Sequence, residues 1–286
     1  MFSEKMIRWA AALASSVLLA AALVISMPAP ASATVPNREI VAASSASTSA
    51  DKGVTVTCPE GTQRLAAGAD VAGAGSAYVI IDDLIPGPRN VTAYGYEYAA
   101  YGTTLTWSIR VWAVCGSLST TVFTYSHTSA YDIDDSKSAS IDCPSNMVVL
   151  GAGYALTGAQ GGALATAMTP SRNSVEAEAY EVDLGPGNPG SWSLTVYAIC
   201  AEDPGGRSQV SRTTSTNSDQ ERFGDATCPS GKEAFGTGFE LNGFRGRLNL
   251  TDLYPTNVGI VRTYASELVP TTNDWSMITY VVCATG

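Results

Sequence analysis

Tyr94, Tyr96 and Tyr98 stand in the order Y-G-Y-E-Y, with Tyr101 just beyond. Side chains alternate between the two faces of a β-strand, so this spacing sets three phenol rings on one side. Such a row can stack on the apolar faces of sugars and offer hydroxyls for hydrogen bonds. Counted from the preceding proline, Tyr96 has counterparts in Tyr180 and Tyr264, which marks it for packing. Tyr94, Tyr98 and Tyr101 are therefore the candidate ligand-binding residues, and the partner they suggest is polysaccharide or cell wall.

Glycoside cleavage needs two carboxyl groups at a defined separation. Asp82-Asp83, Asp132, Asp134-Asp135, Glu176, Glu178 and Glu181 could supply them. The cluster Asp132-x-Asp134-Asp135 lacks the glycine of a calcium loop and reaches Cys143 where glutamate is required, so it reads as a solvated turn. His127 is the single histidine. A multi-histidine zinc site is thereby excluded, and any Ser-His-Asp triad depends on that one residue. Gly206-Arg207-Ser208-Gln209-Val210 lacks the last glycine of a nucleophile elbow. The pairs Gly151-Ala152-Gly153 and Gly236-Thr237-Gly238 run into Tyr154 and Phe239 with no third glycine, so neither is a nucleotide loop. No catalytic residue, cofactor or metal is assigned, and the chain reads as a non-enzymatic protein.

The elements that must position these residues are repeated. Cys58, Cys143 and Cys228 recur at intervals of 85, and Cys115, Cys200 and Cys283 at 85 and 83. Proline follows each opening cysteine, at Pro59, Pro144 and Pro229. Glycine comes ten residues after it, at Gly68, Gly153 and Gly238, and a further proline at Pro86, Pro170 or Pro255. Tryptophan stands eight residues before each closing cysteine, at Trp107, Trp192 and Trp275. A fixed period of this kind marks internal repetition. The units fall at residues 39–118, 119–204 and 205–286, joined by short turns that predict packing and not tethered domains.

Within a unit the signal is β. Closing runs such as T-W-S-I-R-V-W-A-V-C and W-S-L-T-V-Y-A-I-C are rich in β-branched and aromatic residues. Ala77 to Ile85, Val91 to Tyr98, Met147 to Leu156 and Ile260 to Ser266 are bounded by turn formers. Each unit has room for about five or six strands. The expected fold is all-β, with three sheets related by pseudo-threefold symmetry. The tryptophans are expected in the core.

The cysteines can pair within units, as Cys58–Cys115, Cys143–Cys200 and Cys228–Cys283. They can also bridge neighbours, as Cys115 with Cys143, Cys200 with Cys228 and Cys283 with Cys58. Closure within units is favoured because each unit then carries its own staple. No cysteine pair has metal-ligand spacing.

Lys+Arg 16 against Asp+Glu 26 gives a net charge of −10. No basic run interrupts it, so nucleic acid is not an expected partner. Lys5 and Arg8 precede an apolar stretch from Trp9 to Met27, and Ala31-Ser32-Ala33 closes it. That order predicts a signal peptide over residues 1–33, with a membrane-anchoring helix as the alternative. Secretion to the extracellular space and no membrane span after cleavage follow from it.

The units carry Cys58-Pro59-Glu60-Gly61, Cys143-Pro144-Ser145-Asn146 and Cys228-Pro229-Ser230-Gly231. Together with the Gly-x-Gly pairs and the closing strand ending in cysteine, they resemble secreted tandem-repeat proteins of actinobacteria. They are similar, more remotely, to the threefold β-prism of the vitelline membrane outer layer protein. The second unit departs at Asn146, which tolerates a left-handed backbone, and the first at Ala66. The resemblance implies a β-prism-like fold and an extracellular setting. The function expected is polysaccharide binding or an extracellular structural role, with a secreted protease inhibitor and a glycan-cleaving enzyme as alternatives.

Overall fold

The computed structural model describes residues 35–183, 189–257 and 259–285. The signal-peptide expectation for residues 1–33 lies outside them. The first strands are β1 (Glu39–Ser44), β2 (Lys52–Thr57), β3 (Gln63–Ala72), β4 (Val79–Pro86), β5 (Asn90–Glu97) and β6 (Ser108–Gly116). There follow β7 (Phe123–Thr128), β8 (Ser136–Asp142), β9 (Val148–Thr157), β10 (Ala163–Pro170), β11 (Ser174–Glu181) and β12 (Ser193–Ala201). The last are β13 (Ser208–Thr213), β14 (Glu221–Thr227), β15 (Glu233–Asn242), β16 (Leu248–Pro255), β17 (Ile260–Glu267) and β18 (Ser276–Ala284). Among the described residues the fold is all-β, and no helix is long and apolar enough to cross a membrane.

Three antiparallel sheets of six strands result. The first runs β1-β6-β3-β16-β17-β14, the second β2-β5-β4-β9-β12-β7 and the third β13-β18-β15-β10-β11-β8. Each sheet takes three strands from one stretch of six and three from another. The seams are β3–β16, β4–β9 and β10–β15.

The recurring glycine and the recurring proline are one contact across these seams. A Cβ on Gly68 would lie 2.6 Å from the Leu253 carbonyl oxygen and 3.2 Å from Pro255 Cδ. Gly153 is crowded in the same way by Pro86, and Gly238 by Pro170. Only a residue without a side chain lets the neighbouring backbone come so close.

Bulges recur as well. In β3, β9 and β15 the extra residue is Leu65, Leu150 or Phe235. All three are fully buried and meet in one core cluster, as expected where a bulge re-aims a side chain. In β4, β10 and β16 the extra residue is Asp82, Thr166 or Thr251.

The disulfides are Cys58–Cys115, Cys143–Cys200 and Cys228–Cys283, so pairing is within units. Each joins two sheets: Cys58 follows β2 of the second sheet, whereas Cys115 lies in β6 of the first. Trp107, Trp192 and Trp275 are fully buried, as core residues should be. Their rings lie beneath Lys52, Lys137 and Arg222, at 3.5, 5.2 and 4.6 Å from cation to ring centroid. Two of these cations are buried, and all three stand six residues before an opening cysteine, at intervals of 85. Asn146 corrects an expectation: Gly61 and Gly231 have φ of 81° and 77°, but Asn146 is not left-handed. The Met147 N–H still closes its turn on the Pro144 carbonyl, at 2.8 Å.

Candidate functional site

The sequence-chosen tyrosines do not form one platform. Tyr94 is exposed on β5, and its ring lies against Gly53 of β2. Tyr98 follows the end of β5 and is 3% exposed, because the chain turns inward there to pack against Ile80 and Leu164. Its hydroxyl has no hydrogen-bond partner among the described residues. Tyr101 is 64% exposed in the connection to β6. Tyr96, expected in the core, is half-buried on the outward side with Tyr94.

Strand register also corrects the correspondence among tyrosines. Tyr94 pairs with Asp83, Glu178 with Ala167 and Tyr264 with Asp252, each just past the bulge. Tyr264 therefore matches Tyr94 and not Tyr96. The cause is the β16–β17 turn, residues 256–259, which is one residue longer than its counterparts.

The carboxylates are scattered. Asp82 and Asp83 lie on the second sheet, whereas Glu176 and Glu178 lie on the third. Asp132 pairs with Lys137, and Glu181 accepts the Trp192 indole N–H at 3.2 Å. Among the described residues no cluster of metal-ligating side chains occurs. His127 is exposed on β7.

The concentration of aromatic and charged side chains is on the outward face of the first sheet. Trp112 of β6, paired across strands with Gly68, stacks on Tyr254 of β16. Their ring centroids are 5.2 Å apart and their planes 17° from parallel. Asp70 accepts the Trp112 indole N–H. Asp70 in turn stands opposite Asp252 across the β3–β16 seam. Asp252 is paired across strands with Tyr264, and Tyr264 with Phe223 of β14. The last two rings are 4.5 Å apart, and Phe223 is 76% exposed.

Charge is arranged around these rings. Arg110 lies over Trp112 with 5.3 Å from Cζ to ring centroid, and Arg262 Nε is 3.4 Å from Asp225. Burial pushes the Asp252 carboxyl up to about 6, and the neighbouring Asp70 adds to it. Burial raises Asp70 too, opposed by the hydrogen bond from Trp112.

Two hollows lie on this face, and a third opens at its β14 edge. Ile40, Trp112, Tyr254 and Pro255 help to line one of about 220 Å³. On the far side of Tyr254, Asp252, Arg262, Asp225 and Phe223 line one of about 440 Å³. Beyond Phe223 a third, of about 620 Å³, opens between β14 and β13, which belongs to the third sheet. Tyr254 is the wall between the first two, and Phe223 stands between the second and third.

The chain matches no protein-family model and no curated protein. The three sheet faces thus serve as one another's comparison. Where the first sheet has Trp112, Tyr254, Tyr264 and Phe223, register places Tyr197, Ile85, Tyr94 and Gly53 on the second. On the third they are Tyr280, Thr169, Glu178 and Ser138. Among the described residues only the first face has four rings. A hollow of about 330 Å³ on the third sheet is lined by Glu176, Glu178, Glu240 and Arg245, with no aromatic side chain.

Two arginines of the connection between β15 and β16 are engaged with a neighbouring stretch. Arg245 lies over Tyr180, 4.8 Å from its centroid, and Arg247 Nε donates to Asp183 at 3.0 Å. The four-ring face was missed because it is built from β6, β16, β17 and β14, far apart in the chain. A partial signal existed: an aromatic residue, Trp112, Tyr197 or Tyr280, stands three before each closing cysteine.

Proposed function

We propose that this is a secreted, non-enzymatic protein that binds extended polysaccharide, at a cell surface or in the surroundings, on the outward face of its first sheet. The observation that carries the reading is the pair of hollows on the one sheet face with four rings, continued by a third at its β14 edge, with Tyr254 and Phe223 as the walls between them. A glycan repeats along its length, and so do the hollows. Six strands at about 4.8 Å spacing span roughly 24 Å, which accommodates several consecutive sugar rings. The aromatic walls take the apolar sugar faces, and the flanking carboxylates and guanidinium groups take hydroxyls.

Export is supported by the signal-peptide pattern of residues 1–33 and by three disulfides, which persist in oxidising compartments. The exchange of half-sheets among three similar stretches favours a pseudo-threefold, β-prism-like assembly of three units of about 85 residues.

Calorimetry with soluble chitin- and cellulose-type oligosaccharides of increasing length tests the binding reading. Affinity should climb with each added ring until the chain spans all three hollows, then level off. The same affinity from disaccharide upward, or no binding at any length, would overturn it. Glycan cleavage is the second reading, favoured by the facing carboxyls of Asp70 and Asp252, one of them held near 6. It requires reducing-end release that disappears in Asp252→Asn.

A further inference from the structure

We infer that the glycan held on this face carries free ammonium groups, as a deacetylated amino-sugar polymer does, and that Asp252 recognises them. The inference rests on the polysaccharide reading and narrows its ligand class.

The outward face of the first sheet bears four carboxylates, Asp70, Asp252, Asp225 and Glu221, against two guanidinium groups, Arg110 and Arg262. Both guanidinium groups are engaged. Arg262 sits beside Asp225 and bonds Tyr254, while Arg110 covers Trp112 and donates to Ser44 Oγ at 3.3 Å. Among the described residues Asp225 alone of these carboxylates joins an ion pair; Asp70 accepts the Trp112 indole N–H and Glu221 is bonded to Tyr264, which leaves Asp252 with neither a cation nor an aromatic donor. Its neighbours are the like-charged Asp70, the Thr251 side chain and the Tyr264 ring.

A carboxylate without a counter-ion beside aromatic rings is the chemistry that receives an alkylammonium group. The cation gains the Coulomb attraction and the electron-rich ring faces together. A neutral sugar would leave the crowded negative charge of Asp70 and Asp252 as it stands. The other two faces lack the pairing. On the second sheet Asp83 faces Ala155 and accepts the Leu156 N–H at 2.9 Å; on the third the position is Ala167. The carboxyl pair and the four rings thus occur on the same face. The net charge of −10 draws a polycation and repels a polyanion.

The test compares two β-linked glucosamine oligomers of equal length, one fully N-acetylated and one fully N-trimethylated so that its charge is fixed. Binding of each is measured by calorimetry at pH 7.5 with wild type, Asp252→Asn and Asp70→Asn, after circular dichroism establishes that the variants are folded. Coulomb attraction to Asp252 and contact with the ring faces together predict that wild type prefers the cationic oligomer by about tenfold. Asp252→Asn should bring the preference close to one, and Asp70→Asn should reduce it less. Equal affinity for the two oligomers, or an undiminished preference in Asp252→Asn, overturns the inference. Binding of cellulose oligomers with neither glucosamine oligomer bound also overturns it while the polysaccharide reading stands. Failure to bind any glycan removes both.

Discussion

Asp252→Asn should make the protein more stable above pH 6 and leave it unchanged below pH 4. Burial raises the Asp252 carboxyl from its ordinary 3.8 to about 6, so the folded chain holds that proton more tightly than the unfolded chain. Stability is then greatest below 3.8, falls as pH climbs to about 6, and stays at the lower level above it. The gap between those values corresponds to about 3 kcal/mol. Asp252 keeps some contact with water, and screening reduces the expected effect to about 2 kcal/mol. Asparagine has nearly the same shape, can still bond Thr251 and never ionises. For a body of this size, about 2 kcal/mol moves the melting temperature by roughly 4–8 °C. Thermal unfolding of wild type and variant between pH 4 and pH 8 measures this directly. A difference that is equal at both ends, or a variant that melts lower at pH 8, would refute the reasoning. A carboxylate kept at such a cost beside four aromatic rings fits a position selected for binding and not for folding.

Two further outcomes follow from the packing. Gly238→Ala drives a methyl group into Pro170 and the Met168 carbonyl at the β10–β15 seam, and should cost about 1–3 kcal/mol in urea unfolding. Tyr98→Phe removes a buried hydroxyl with no partner and should raise stability by about 1 kcal/mol; a destabilised variant would mean that the hydroxyl is satisfied.

Much of the fold was legible because its causes are local or periodic. The closing strands show their β-branched and aromatic residues directly, and the cysteine period exposed the repeated strands. The glycine and proline at fixed offsets were visible as markers, yet their meaning was not. Gly68 meets Pro255 of another stretch, and no spacing within one unit reveals that. The same non-local exchange hid the four-ring face. Alternation along Tyr94, Tyr96 and Tyr98 was a sound guide only while the strand lasted. β5 ends at Glu97, so Tyr98 turns inward. A single extra residue in the turn before β17 shifted Tyr264 by one position and concealed its match to Tyr94. The bulges were not legible as bulges, although the residues they re-aim into the core, Leu65, Leu150 and Phe235, each stand seven after an opening cysteine.

The central claim is that glycan is held by the first sheet's aromatic face. Pull-down of the mature, oxidised protein on chitin, cellulose and purified cell-wall sacculi tests it most directly. Wild type is run beside Tyr254→Ala/Tyr264→Ala and beside Tyr94→Ala, whose ring lies on the second sheet. Retention of wild type and Tyr94→Ala, with the double variant lost from the matrix, is the predicted result. Retention of the double variant, or loss with Tyr94→Ala alone, would contradict the claim.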